Sequence, residues 1–156
     1  MVKKTMLVVY YSRTGNTKKV AERISNQINA DVDEIVDLKD RKRKIIGWII
    51  SGRDAMNKSL TEIKFKKKPE DYDLVIIGTP NWVSTMAPAI RTYLTQNKLK
   101  NVAFFCTYGG NEGHVFEDMK NLTQKPLASL GLHDEEIDSK DSLKKIKDFS
   151  KKFLIN

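Results

Sequence analysis

Ser12, Thr14, Asn16 and Thr17 place three hydroxyls and one carboxamide around Gly15 within six residues. All four side chains can donate hydrogen bonds. The run Met6-Leu7-Val8-Val9-Tyr10-Tyr11 leads into this stretch, and Lys18-Lys19-Val20-Ala21-Glu22-Arg23-Ile24 leads out of it. The first reads as a buried strand and the second as a helix. A helix start carries unpaired N–H groups and the positive end of the dipole, so a loop entering it suits an anion. Gly15 lets the backbone close without a Cβ clash. The chemistry offered is a nest for a terminal phosphomonoester, built from hydroxyls and backbone. A G-x-x-x-x-G-K-[ST] loop is absent, and so is a G-x-G-x-x-G turn after the strand. A second reading stays open: a plainly capped helix with Ser12 or Thr14 at the N-cap. Arg13 either covers the anion or faces water.

Two more loops carry side chains of interest. Gly78-Thr79-Pro80-Asn81-Trp82-Val83-Ser84-Thr85-Met86-Ala87-Pro88 follows one apolar run, and Cys106-Thr107-Tyr108-Gly109-Gly110-Asn111-Glu112-Gly113-His114 ends another. Trp82 and Tyr108 place one aromatic in each of these loops. Each could be an ordinary packed or loop aromatic. Cys106 reads as a small core residue and His114 as a surface residue.

These loops need a scaffold, and the chain supplies an alternation of types. Strand-like runs fall at about 6–11, 33–38, 74–78 and 102–107, with a weak fifth near 134–139. Helix-like runs fall at about 16–29, 88–96, 115–130 and 142–154. Alternation of this kind predicts parallel strands joined by crossover helices. In such a sheet, ligands bind beyond the carboxyl ends of the strands, where the three loops lie. The segment at about 41–60 is extra to a minimal repeat. Ile45, Ile46, Ile49, Ile50 and Met56 are expected to form one helical face. Its basic start with Trp48 reads either as an interfacial anchor or as a helix packed on the sheet edge or over a cofactor loop. The packed helix is the expectation.

The 156 residues fit one domain, 1–156. Hydrophobic content of 40% and charged content of 31% fit a globular protein. The apolar runs are too short to span a bilayer. A single cysteine rules out an internal disulfide, and no export signal is visible, so a cytoplasmic location is expected. Two histidines and one cysteine form no metal-ligand pattern. The net charge of +8 reads first as a solvated basic surface and second as one that steers an acidic partner. No nucleic-acid motif accompanies the lysines.

Together the loops resemble those of the flavodoxin family, in its short form. The likeness rests on Ser12-Arg13-Thr14-Gly15-Asn16-Thr17, and on Thr79-Pro80-Asn81-Trp82 leading to Met86-Ala87-Pro88. It covers nearly the whole chain in element order. The resemblance implies an α/β, three-layer doubly wound fold with a five-stranded parallel sheet of order 2-1-3-4-5, and FMN at the switch point. It implies that Ser12, Arg13, Thr14, Gly15, Asn16 and Thr17 hold the FMN phosphate. Thr79, Pro80, Asn81, Trp82 and Val83 would form one wall, and Thr107, Tyr108, Gly109 and Gly110 the other. No catalytic side chain and no metal are implied.

The implied function is a soluble FMN-binding electron carrier; the alternative is an NAD(P)H-dependent quinone or FMN reductase. A flavin-free interaction module is a third reading. The expected partner is a redox protein with an acidic docking surface. Neither nucleic acid nor a membrane is expected as a partner, and the chain is expected to be a monomer or weak dimer. Two departures stand out. Flavodoxins are typically acidic, so this basic chain is expected to hold its fully reduced flavin at a less negative potential. Many flavodoxins also place glycine after the loop tryptophan, where a peptide flips on reduction; Val83 should resist positive φ there.

Overall fold

The parity of the first strand sets the layers. In strand β1 (Met6–Tyr10), Leu7 and Val9 point to one face, while Met6, Val8 and Tyr10 point to the other. All five are buried, as expected of a strand covered on both sides. The computed structural model describes residues 3–39 and 44–154. Its elements are β1, helix α1 (Asn16–Ile28), strands β2 (Asp31–Glu34) and β3 (Val36–Asp37), helix α2 (Lys44–Met56), strands β4 (Ile63–Lys64), β5 (Leu74–Trp82) and β6 (Thr85–Met86), helix α3 (Pro88–Gln96), strand β7 (Val102–Tyr108), helix α4 (Val115–Leu122), strand β8 (Ser129–His133) and helix α5 (Lys140–Leu154).

The main sheet has the order β2-β1-β5-β7-β8, and every pairing along that path is parallel. Counted without the short extra strands, this is the expected 2-1-3-4-5 doubly wound order. One core packs around Leu7, Val9, Ile77, Ile90, Tyr93 and Phe104. The opposite core packs around Val8, Ile24, Ile76, Phe105, Leu132 and Phe149. Gly78 is needed between them: a Cβ there would overlap the Phe105 ring, 1.9 Å from its Cζ.

Four expected boundaries differ from those observed. The 33–38 strand breaks at Ile35, which is buried and donates its N–H to the Tyr10 carbonyl at 2.8 Å. Beyond it, β3 pairs antiparallel with β4 in a separate ribbon. The Asp33 carboxylate accepts from the N–H groups of Lys66 and Lys67, at 2.8 and 2.7 Å, and so holds the returning chain. The third strand does not stop at Gly78. It runs on to Trp82 and turns back as β6, so the expected loop is a hairpin. The fourth helix ends at Leu122 rather than near residue 130. Thr123 donates its hydroxyl back to the Met119 carbonyl, and Pro126 disfavours helix at the residue before it. The fifth strand is Ser129–His133; the acidic residues Asp134–Glu136, expected to be strand, form a short 3-10 turn after it.

Helix α2 forms in the 41–60 segment. Arg41, Lys42 and Arg43 lie outside the described residues, as do the side chains of Lys44, Ile45, Ile46 and Trp48. Among the described side chains of the expected apolar face, Ile49 and Met56 are exposed and Ile50 is half-buried. Ile49 is 64% and Met56 61% exposed, whereas Gly47, Ser51, Asp54 and Ala55 are buried. Helix α2 packs against β5, the β6 hairpin arm and α3. Among the described residues, no helix is long and apolar enough to cross a membrane.

Candidate functional site

The anion loop lies between the end of β1 and the start of α1. Gly15 occupies the N-cap position with φ 102° and ψ −11°, which disfavours a side chain on backbone grounds alone. No side chain caps α1, so the capped-helix reading with Ser12 or Thr14 does not hold. Ser12 instead accepts a hydrogen bond from the Gly15 N–H at 3.1 Å, which closes the loop from within. The first helical bond of α1 is Lys19 N–H to the Gly15 carbonyl, at 3.0 Å. The N–H groups of the first turn are the ones a helix leaves unpaired.

An open cleft of about 520 Å3, measured out to bulk solvent, lies against this loop. Arg13, Thr14, Asn16 and Thr17 form its first side, Pro80, Asn81 and Trp82 its second, and Thr107, Tyr108, Gly109 and Asp134 its third. Three loops distant in sequence are thus brought to one place.

The remaining expected residues sit elsewhere. Thr79 is fully buried; its hydroxyl donates to the Pro80 carbonyl and accepts from the Ala87 N–H, so it braces the hairpin base. Val83 lies outside the cleft, 55% exposed at the hairpin tip. Gly110 has open space around it and does not line the cleft. Ser12 and Gly15 shape the loop from behind. Cys106 is buried, and burial pushes its thiol pKa up. His114 is exposed at the start of α4.

Each aromatic wall is braced edge-on by a second ring. Trp82 meets Tyr11 at 5.5 Å between centroids and 88°, and Tyr108 meets His133 at 5.6 Å and 89°. T-shaped pairs of this kind fix ring orientation. Trp82 is only 7% exposed, so it belongs to the core as well as to the cleft. The loops are tied together by the Thr17 and Thr107 hydroxyls, both buried and 2.8 Å apart.

The hairpin tip is strained. Val83 has φ 52° and Ser84 φ 66°, the left-handed region at both central residues of a two-residue turn. For a β-branched residue this costs on the order of 1–3 kcal/mol. The expected resistance of Val83 to positive φ is therefore overcome. Part of the reason lies outside the turn. The Ser84 carbonyl accepts from the His114 N–H at 2.6 Å, and Asn81 Nδ2 donates to the Asn111 carbonyl. Gly113 presses so closely that a Cβ would lie 2.5 Å from the Ser84 Cα. On the other side, a Cβ on Gly52 of α2 would touch Val83 Cγ2 at 3.4 Å. Arg13 Nη1 also donates to Ser51 Oγ at 3.5 Å. Helix α2 thus supports both the anion loop and the hairpin.

The sequence reading missed the acidic side of the cleft. Asp134 lines it, and the Tyr108 hydroxyl pKa is raised first by burial and then by the charges of Glu112 and Glu136. The signal was the strand end: with β8 ending at His133, Asp134 falls just beyond its carboxyl terminus, among the ligand loops. A cleft with hydrogen-bond donors on one side, two braced rings and an acidic rim fits a flat, phosphate-bearing cofactor. Among the described residues, no cluster of metal-ligating side chains exists.

Comparison with known proteins gives the family. The model of the family described as flavodoxin matches residues 5–146, and the chain belongs to the flavodoxin family. A flavoprotein from Lactobacillus acidophilus, solved in complex with FMN, is 27% identical, with a TM-score of 0.69 over 87% of this chain and 97% of that one. The apo form of the flavoprotein from the same organism is 25% identical, with a TM-score of 0.63 over 89% of this chain and 98% of that one. The two-electron reduced flavodoxin of Megasphaera elsdenii shares the fold at 16% identity, with a TM-score of 0.60 over 94% and 98%. No curated protein matches the chain.

Proposed function

We propose that this chain binds FMN in the three-loop cleft and carries electrons between partner proteins. The observation that carries the reading is the uncapped start of α1 facing a cleft with two braced aromatic rings. The donors of Thr14, Asn16 and Thr17, with the first-turn N–H groups, would hold the phosphate. Trp82 and Tyr108 would flank the ring, and Thr17 with Thr107 would keep the loops in register. FMN, when bound, supplies the redox chemistry.

Charge near the cleft matters more than net charge, because screening limits reach to about 8 Å at physiological salt. Asp134, with Glu112 and Glu136 near Tyr108, would disfavour added negative charge on the cofactor. This local acidity works against the less negative potential expected from net charge alone. The wider surface remains basic, at +8 overall, which favours an acidic redox partner and faster encounter with it. A cytoplasmic monomer or weak dimer fits the same reading.

A reductase is the second reading, and one observation favours it. A second cavity lies beside the cleft, lined by Tyr11, Ser12, Arg13, Glu34, Ile35, Val36, Asp37 and Lys39, and it shares Arg13 with the cleft. Its two carboxylates disfavour a phosphate-bearing nicotinamide, and Lys39 is tied to Asp54 at 2.5 Å. The carrier reading therefore leads. Anaerobic mixing of FMN-loaded protein with NADH or NADPH and a quinone separates the two. A carrier gives negligible turnover until a separate reductase is added. Steady nicotinamide oxidation by the protein alone identifies a reductase.

A further inference from the structure

The hairpin tip holds two non-glycine residues at positive φ, and such strain persists only where the surroundings fix it. The 111–114 loop grips the tip from outside. What grips it from inside is a side-chain relay, buried at Arg91 and Thr85 and half-buried at Asp118. The Thr85 hydroxyl donates to Asp118 Oδ2 at 2.5 Å and accepts from Arg91 Nη2 at 2.9 Å. Thr85 closes the turn, pairing with Trp82 across β5 and β6. Arg91 comes from α3 and Asp118 from α4, so two helices meet at one strand residue. Arg91 is 7% and Thr85 6% exposed.

A buried guanidinium is an expensive way to fill a core, since a charge out of water needs partners. Here the fit is incomplete: Arg91 Nε is buried with no hydrogen-bond partner among the described residues. An apolar side chain of similar length would fill the space without that orphan. What an apolar chain could not do is orient Thr85. The planar guanidinium delivers Nη2 along a fixed direction. With Arg91 donating to it, the Thr85 hydroxyl directs its own proton to Asp118.

We propose that Arg91, through Thr85 and Asp118, is a positioning residue for the cleft-side hairpin, holding the Val83–Ser84 turn in its left-handed conformation and Trp82 at the cleft wall. For the turn this rests on the geometry alone; for the cofactor it rests on the FMN reading above.

The test uses a Trp48→Phe parent, in which Trp82 is the sole tryptophan of the chain. Thr85→Val keeps the shape and removes the shared hydroxyl, Thr85→Ser keeps the hydroxyl, and Asp118→Asn removes the charged acceptor. Three readouts are taken on each: the thermal midpoint, acrylamide quenching of Trp82 in the FMN-free protein, and the FMN dissociation constant. Thr85→Val is expected to raise the Trp82 quenching constant at least twofold and the FMN dissociation constant at least tenfold, with Thr85→Ser within twofold of the parent in both. If Thr85→Val does not fold, Asp118→Asn is held to the same two thresholds. Lowered midpoints with Trp82 quenching and FMN affinity unchanged would overturn the proposal and leave the relay as core structure. If the parent itself binds no FMN, the FMN reading fails, and Trp82 quenching alone decides whether the relay positions the hairpin.

Discussion

Thr17 and Thr107, 90 residues apart in sequence, share one buried hydrogen bond between their hydroxyls at 2.8 Å. It joins the first turn of α1 to the last residues of β7, and so fixes the anion loop against the Tyr108 wall. Thr107→Val would keep the shape and strand the Thr17 hydroxyl. An unpaired buried hydroxyl costs about 1–3 kcal/mol. Urea denaturation should show a loss of that size, and FMN affinity should fall with it.

Gly15→Ala isolates the backbone requirement of the loop. No atom lies within 4 Å of a Cβ built there, so any effect comes from φ alone. A left-handed alanine costs about 1–2 kcal/mol. The expected outcome is a stability loss of that order with weaker FMN binding, read by urea denaturation and flavin fluorescence.

Val83→Gly removes the β-branched residue from positive φ. Relief of strain and the extra freedom of an unfolded glycine oppose each other. Stability should stay within about 1 kcal/mol of the parent. The separation between the two one-electron potentials should widen, because glycine lets the 83–84 peptide reorient more readily. Potentiometric titration of both proteins checks this.

Asp134→Asn removes a carboxylate from the cleft lining. The potential of the second one-electron step should rise on the order of tens of millivolts at low salt. The difference should shrink in high salt, where a cleft open to solvent is screened. Potentiometry at two ionic strengths measures both.

Glu136 carries a pH signature. Lys145 donates to it at 3.0 Å, and the His133 N–H donates to its other oxygen at 3.1 Å. These bonds, Lys145 first, hold its carboxyl below the usual value of 4.5. A lowered folded pKa stabilises above the unfolded pKa and is lost as pH falls through the folded one. Glu136→Gln should therefore be less stable than the parent at pH 7, and the gap should close as pH drops below about 4.5. Thermal midpoints between pH 7 and pH 3 test it.

The sheet order was legible because β1 and the opening runs of β5 and β7, Leu74–Ile77 and Val102–Cys106, are continuously apolar and β2 is not, which separates centre from edge. The anion loop was legible because hydroxyls, glycine and helix start are adjacent in sequence. What escaped was set by contacts between distant residues. The Val83–Ser84 turn lacks the usual Asn-Gly signature and is held by contacts from residues distant in sequence, with Gly113 pressed against Ser84 and the His114 N–H bonded to its carbonyl. On α2 the apolar periodicity put Ile49 and Met56 on a packed face, but both are exposed, while the small residues Gly47, Ser51 and Ala55 are buried where the helix meets the hairpin and the anion loop. Asp134 was hidden by a strand boundary placed five residues late.

Titration of the FMN-free protein with FMN, followed by flavin fluorescence, bears most directly on the proposed function. Quenching that saturates at one FMN per chain, and that is weakened in Gly15→Ala, is the expected result. Fluorescence unchanged at excess protein would contradict it, and the three-loop cleft would then serve something other than a flavin.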